Sequence, residues 1–339
     1  MKAALIGHGM VSQAHIAALD DSKLVELHGI LGRSPENAKS WAQERDVSAQ
    51  IYSDISELTN DTDLDFAILI TPPDSRLEYV NALVEARVPI LMEKPIERTH
   101  EAAQNIVEAC EAAGVLNGVV FQHRARAAAM ELKRLISAGD LGEALTVELR
   151  VPWWRDQSYY DAPGRGTYAR DGGGVMINQA IHTLDLAIWL CGPVNAVQSI
   201  MHTTSLHQLE AEDWAGGLLH FKCGAVGTIM ATTAAFPGAA ESISIQFEKA
   251  HAHLEAGTLR LDHWDGSQEQ IGESAATGGG ADPMAFTHDW HQTVIEDFAK
   301  ALAHQTPPLC SGRDALSAHA VIAAMEIAGK TEQRTTIEM

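Results

Sequence analysis

Apolar runs alternate with helical spacing through the first third of the chain. KAALI at 2–6 leads into a glycine turn and a helical pattern over 10–19, and LVELHGIL at 24–31 precedes a helix over 35–45. DFAILI at 65–70, VPILM at 88–92 and VLNGVVF at 115–121 follow, separated by helical stretches over 75–86 and 100–113. Short apolar runs without alternation are buried on both faces, and helices between them predict βαβ units around a parallel sheet. A complete doubly wound α/β domain is therefore expected over 1–122.

Past a helix over 125–138 the pattern changes. Closely spaced strand-like runs at 144–151, 194–202, 214–221, 225–233, 242–247 and 251–256 have little helix between them, which predicts a largely antiparallel sheet. One strong helix over 174–190 interrupts the series. Residues 272–282 form a Gly/Ala/Ser-rich loop, and helices over 287–304 and 313–329 follow. A second, α+β domain with an open-faced sheet is expected over 123–339.

Charge and cysteine content narrow the function. With 24 basic against 45 acidic residues the formal net charge is −21, which disfavours nucleic acid and anionic membrane surfaces as partners. The four cysteines, Cys110, Cys191, Cys223 and Cys310, form no C-x-x-C pair and suit a reducing compartment. The first residues lack the pattern of a secretory signal, and no apolar run approaches the roughly 18 residues of a membrane span. A cytoplasmic location is expected.

The turn after the first strand reads Gly7-His8-Gly9-Met10-Val11-Ser12. Glycines permit a tight turn and a close approach to pyrophosphate, and the amides of the following helix then face the phosphates. Gly7, His8, Gly9, Met10 and Val11 are the expected phosphate cradle of a dinucleotide. The second strand ends in Gly32-Arg33-Ser34 with no acidic residue for a ribose 2′-hydroxyl. Arg33 and Ser34 suit a 2′-phosphate, so NADP is expected ahead of NAD. The same Ser34-Pro35 pair also has the form of a helix N-cap followed by proline.

Strand 88–92 runs into Glu93-Lys94-Pro95. That tripeptide, the glycine loop, Thr71-Pro72-Pro73, the stretch from Asp171 through three glycines to His182 and Asp185, and a DFAKAL-type C-terminal helix resemble the glucose–fructose oxidoreductase / inositol dehydrogenase family along the whole chain. The resemblance implies a Rossmann domain, an open-faced sheet domain, and hydride transfer at a carbinol carbon of a sugar, polyol or nucleotide sugar. It implies Lys94 and His182 as the catalytic pair, Thr71, Pro72, Glu93 and Lys94 beside the cofactor, and a homodimer or homotetramer. It also admits a redox-neutral lyase or glycosidase that keeps its nucleotide bound, and a non-catalytic dinucleotide sensor.

The residues agree in part. Lys94 stands at the carboxyl end of a parallel strand, where open α/β sheets bind ligands. On a regular helix Asn178, His182 and Asp185 share one face, and Asp185 can then orient the His182 ring. Asn178 stands where several inositol-dehydrogenase-like members carry Asp, so it can orient a hydroxyl but not deprotonate it; the Asn178-Gln179 pair resembles the subgroup that includes nucleotide-sugar dehydrogenases. Arg76 is a second departure, where many members have His. The aromatic and basic segment 152–171 suits the apolar faces and hydroxyls of a sugar, its arginines can also meet a carboxylate or phosphate on the substrate, and its aromatics equally suit a subunit interface or the cover of a domain junction. Substrate-binding candidates are Lys94, Arg124, Trp154, Arg165, Asn178, Gln179 and His182, with His288 and His291 weaker. No metal site is expected, because His251 and His253 lack a third ligand with suitable spacing.

Overall fold

The computed structural model describes residues 1–280, 282 and 284–338. It divides into two compact units: residues 1–97, 101–122 and 288–315, and residues 98–100, 123–287 and 316–339. The break expected after 122 coincides with one crossing of the chain, but the chain also returns to the first unit between 288 and 315. Sequence periodicity carries no signal for such a return.

In the first unit, strands β1 (Lys2–Ile6), β2 (Glu26–Leu31), β3 (Gln50–Ile51), β4 (Phe66–Leu69), β5 (Ile90–Glu93) and β6 (Asn117–Val120) form a parallel sheet in the order β3-β2-β1-β4-β5-β6. Ala3 to Ile6 and Phe66 to Leu69 have no exposed surface, as expected for strands covered on both faces. The flanking helices are α1 (Ser12–Asp21), α2 (Pro35–Glu44), α3 (Ile55–Thr59), α4 (Arg76–Glu85) and α5 (His100–Ala112). This is the doubly wound order, with its switch between β1 and β4.

The second unit begins with α6 (Ala127–Ala138), β7 (Ala144–Pro152), the short α7 (Gln157–Tyr160), a π-helical turn at Met176–Ala180 and α8 (Ile181–Cys191). Strands β8 (Val194–His202), β9 (Trp214–Phe221), β10 (Val226–Thr232), β11 (Ser242–Phe247), β12 (Ala250–Glu255), β13 (Thr258–His263), β14 (Gln268–Ile271) and β15 (Thr335–Thr336) complete a nine-stranded sheet with β7. Its order is β14-β13-β12-β11-β7-β10-β9-β8-β15, antiparallel except where β10 runs parallel to β7. In β11 the buried Ile243, Ile245 and Phe247 alternate with half-buried polar residues, so one face is core and the other is open. Helix α9 (Asp289–His304) belongs to the first unit and packs on α1, and α10 (Gly312–Thr331) carries the chain back to the second. Among the described residues no helix is long and apolar enough to cross a membrane.

Candidate active site

The glycine turn adopts the expected form. Gly7 has φ +97°, and a Cβ there would sit 3.2 Å from the Thr71 amide nitrogen. Ser12 opens α1 and is buried, its Oγ donating to the Gly9 carbonyl at 2.6 Å. Among the described residues no acceptor meets the N–H groups of Gly9, Met10 and Val11. The buried Thr71 hydroxyl also has no partner. Free amides at a helix N-terminus and an orphaned hydroxyl beside them fit an anionic dinucleotide. At the end of β2, Arg33 is exposed, while Ser34 accepts the Asn37 N–H at 3.2 Å as the N-cap of α2. Ser34 therefore has a structural task whatever the cofactor.

Lys94 follows β5, half-buried, and its peptide bond to Pro95 is cis. The turn around it is held by Arg76, whose side chain is 2% exposed. Its Nε and Nη2 donate to the Thr71 carbonyl at 2.9 and 2.8 Å, and its Nη1 donates to the carbonyls of Glu93 and Pro95. One guanidinium thus ties the Thr71 turn to the Glu-Lys-Pro turn. Burial lowers its pKa to about 10, which still leaves it charged at neutral pH. Sequence comparison flagged Arg76 only as a departure; its five-donor fork is what four carbonyl contacts around a bend require.

Glu93, expected beside the cofactor, is 6% exposed. Its Oε1 lies 2.9 Å from His15 Nε2 and 3.7 Å from His291 Nε2, and its Oε2 accepts the Lys94 amide at 3.1 Å. Burial opposes its ionisation, yet the hydrogen bonds from both histidines hold it well below the usual carboxylate range. Burial pushes His291 down, toward the neutral ring. The trio is geometrically able to hold a metal ion, its ligand atoms lying within 4.8 Å of one another. A 2.9 Å nitrogen–oxygen distance is already that of a direct hydrogen bond, which a proton bridges without an ion. His15 escaped sequence reasoning, and His291 entered it only as a weak pocket candidate.

In the second unit, the glycine run before His182 is dictated by Glu212. A Cβ on Gly174 would lie 1.8 Å from the Glu212 carbonyl oxygen. The Glu212 carboxylate accepts the N–H groups of Gly174 at 3.1 Å and Met176 at 3.0 Å, capping the start of the helical segment, and burial raises its pKa to about 7. The π turn that follows widens the helix and breaks the regular spacing from Asn178 to Asp185. Asn178 donates Nδ2 to the Gly173 and Gly174 carbonyls at 2.9 and 3.0 Å. Asp185 has both oxygens on Arg124, at 2.8 and 2.7 Å, rather than serving only to orient His182. Arg124 is 2% exposed and sits in that bidentate pair, which is a structural tie.

His182 lies on the buried face of α8, its ring stacked on His123 with centroids 4.9 Å apart. His123 Nε2 is 3.7 Å from Glu241, which is paired with Arg126 at 2.7 Å. Gln179 is buried; its Nε2 donates to the Tyr159 hydroxyl at 3.4 Å and its Oε1 has no partner. Trp154 packs edge-on against Phe236, and the Arg165 guanidinium covers the Tyr159 ring at 4.4 Å. Strand residues His251 and His253 face Asp262 and Ser244 respectively.

Comparison with known proteins agrees with these observations. Residues 1–121 match the model of the oxidoreductase family with an NAD-binding Rossmann fold (GFO/IDH/MocA), and residues 129–253 match the GFO/IDH/MocA C-terminal domain. An uncharacterized oxidoreductase of Schizosaccharomyces pombe is 24% identical over 201 residues, 58% of this chain and 53% of that protein, so only about half of the relative is spanned. The scyllo-inositol 2-dehydrogenase (NAD(+)) of Bacillus subtilis is 25% identical, with 78% of this chain and 75% of that protein covered. The solved WlbA dehydrogenase of Chromobacterium violaceum, in complex with NADH and UDP-GlcNAcA, is 27% identical over 100% of this chain and 96% of that one, with a TM-score of 0.84.

Proposed function

The chain belongs to the GFO/IDH/MocA family of oxidoreductases with an NAD-binding Rossmann domain, and on that premise we propose that it oxidises one carbinol carbon of a sugar-like substrate, with nucleotide sugars the favoured class. When bound, the dinucleotide supplies the hydride acceptor. The observation that carries the reading is the Arg76 clamp, which fixes the Lys94 turn next to the Thr71 turn and its unpartnered hydroxyl. Lys94 holds the reacting hydroxyl by donating from Nζ, and His182 takes its proton. Gln179 orients a neighbouring hydroxyl, and Asn178 keeps the entry to the helix in place.

NAD is the cofactor that the family supports, and Arg33 permits NADP as well because no carboxylate at the end of β2 repels a 2′-phosphate. The open face of the second-unit sheet exposes Ile200, Leu218 and Val226 and is the proposed contact of a homodimer or homotetramer. The deciding experiment mixes the protein with NAD or NADP and a panel of polyols, aldoses, anhydrosugars and nucleotide sugars. Reduced nicotinamide with one class of substrate supports the reading. Substrate conversion with no net change in nicotinamide would overturn it in favour of redox-neutral chemistry.

A further inference from the structure

Two guanidinium groups of the second unit lack a carboxylate. Arg165 lies 4.4 Å from the centroid of the Tyr159 ring, and Arg155 lies 5.4 Å from the same ring. Among the described residues neither forms an ion pair, and no carbonyl accepts from the Arg165 guanidinium. Arg155 is buried and is tied to three carbonyls, those of Trp154, Gly278 and Gly280, so its charge is not neutralised. Burial lowers its pKa, and the nearby Arg165 charge also disfavours its ionised form.

Acids are close in sequence but engaged elsewhere. Asp156 accepts from Ser158 and from the Tyr159 amide, and Asp161 accepts from Gln157. Asp171 accepts the Gly166 amide and sits 3.9 Å from Arg170. In a chain of net charge −21, two neighbouring cations with no acid on either is an arrangement that awaits an anion. A second observation points to the same place. Gln179, 95% buried, reaches the Tyr159 hydroxyl through Nε2 and leaves Oε1 without a partner, an acceptor suited to a substrate hydroxyl or amide N–H.

From the uncompensated Arg155–Arg165 pair over Tyr159 and the orphaned Gln179 acceptor, we infer that this segment is an anion seat, and that Arg165 selects sugar substrates bearing a carboxylate or phosphate. The inference rests on the sugar-dehydrogenase reading above. Arg165 is half-buried, so its donors are available to such a group, and a planar fork suits either oxyanion. Arg155 contributes field rather than contact, because its hydrogen bonds hold the loop at 278–280.

The test is calorimetric binding to the full chain saturated with NAD, using four probes: UDP-GlcNAcA, UDP-GlcNAc, N-acetylglucosaminuronic acid and neutral N-acetylglucosamine. The wild-type protein should bind anionic probes at least about tenfold more tightly than the neutral one. Arg165→Gln should weaken anionic probes by about ten- to a hundredfold, the range of a hydrogen bond to a charged group, with NAD and the neutral sugar unaffected. Arg165→Lys should recover part of the loss. Dependence on Arg165 with the free uronic acid assigns the seat to a carboxylate; dependence confined to the UDP-sugars assigns it to the diphosphate. Equal affinity for neutral and anionic probes, or an Arg165→Gln protein within twofold of wild type, overturns the inference. Arg165-dependent binding accompanied by conversion of a probe with no net change in nicotinamide would instead overturn the dehydrogenase reading and leave the anion seat standing.

Discussion

Replacing Arg76 with Met keeps length and apolar bulk but removes the fork. The carbonyls of Thr71, Glu93 and Pro95 then lose a charged donor in a site where Arg76 itself is 2% exposed. Each buried carbonyl left unsatisfied costs about 1–3 kcal/mol. Removing a buried cation also relieves its desolvation, so the net loss falls near the roughly 3–5 kcal/mol typical of breaking a buried charged network. At roughly 2–4 °C per kcal/mol, the melting transition should drop by about 6–20 °C. Turnover should fall about a hundredfold at temperatures where the variant is folded, because a displacement of about 1 Å at Lys94 carries that penalty. Circular dichroism melts and steady-state kinetics read the two effects separately, and Arg76→Lys should rescue little, since one ammonium cannot reach both turns. A Met variant melting within about 2 °C of wild type with unaltered turnover would refute the clamp.

Lys94→Ala should lower turnover by at least about a hundredfold, as should His182→Ala, with NAD affinity retained in both; near-normal turnover removes the residue from catalysis. Arg33→Gln should raise KM for NADP about tenfold and leave that for NAD unchanged; an equal effect on both cofactors would deny it a 2′-phosphate role. Glu212 carries a folded-state pKa of about 7 against 4.5 in the unfolded chain. The folded protein therefore holds the extra proton, and stability is lost as pH rises between those values, by about 2–3 kcal/mol from pH 5 to 8. Glu212→Gln should flatten that fall in urea midpoints, and an unchanged slope would contradict it. Leu218→Glu on the open sheet face should shift the proposed oligomer to monomer in light scattering, and a wild-type monomer at micromolar concentration would refute the oligomer itself.

Long, strongly patterned elements were legible in the chain. The runs at 194–202, 214–221 and 242–247 coincide with β8, β9 and β11. The omissions were short or polar: β3 is two residues, α7 a single turn, and β14 is the exposed edge strand QEQI, whose charge and amides mask its pairing. Strand β13 did carry a signal, since Leu259 and Leu261 alternate with polar residues and both are buried. The π turn was not legible, because it changes where Asn178 points without changing the apolar character of the helix around it.

Partners explain why the site was only partly readable. Net charge describes the surface of this protein, yet Arg76, Arg124, Arg126 and Arg155 are all buried in it. Arg124 and Arg126 sit on carboxylates, Asp185 and Glu241, so each charge is cancelled where it lies. Arg76 and Arg155 sit on carbonyls, which position backbone; the charges of Glu93 and Glu97 favour the Arg76 cation, whereas among the described residues no carboxylate acts on Arg155. The first kind is a tie whose loss strands an acid. The second positions backbone beside an expected ligand, at the turns of Thr71 and Lys94 for Arg76 and at the Tyr159 platform for Arg155, and at Arg155 it is also a source of positive field. Sequence spacing cannot separate them, because every partner except the Trp154 carbonyl lies at least five residues away, and most are far more distant along the chain. Electrostatics does separate them. Neutralising Arg124 or Arg126 should destabilise the fold with anion affinity retained in the molecules that fold, whereas neutralising Arg155 should also weaken anionic sugars.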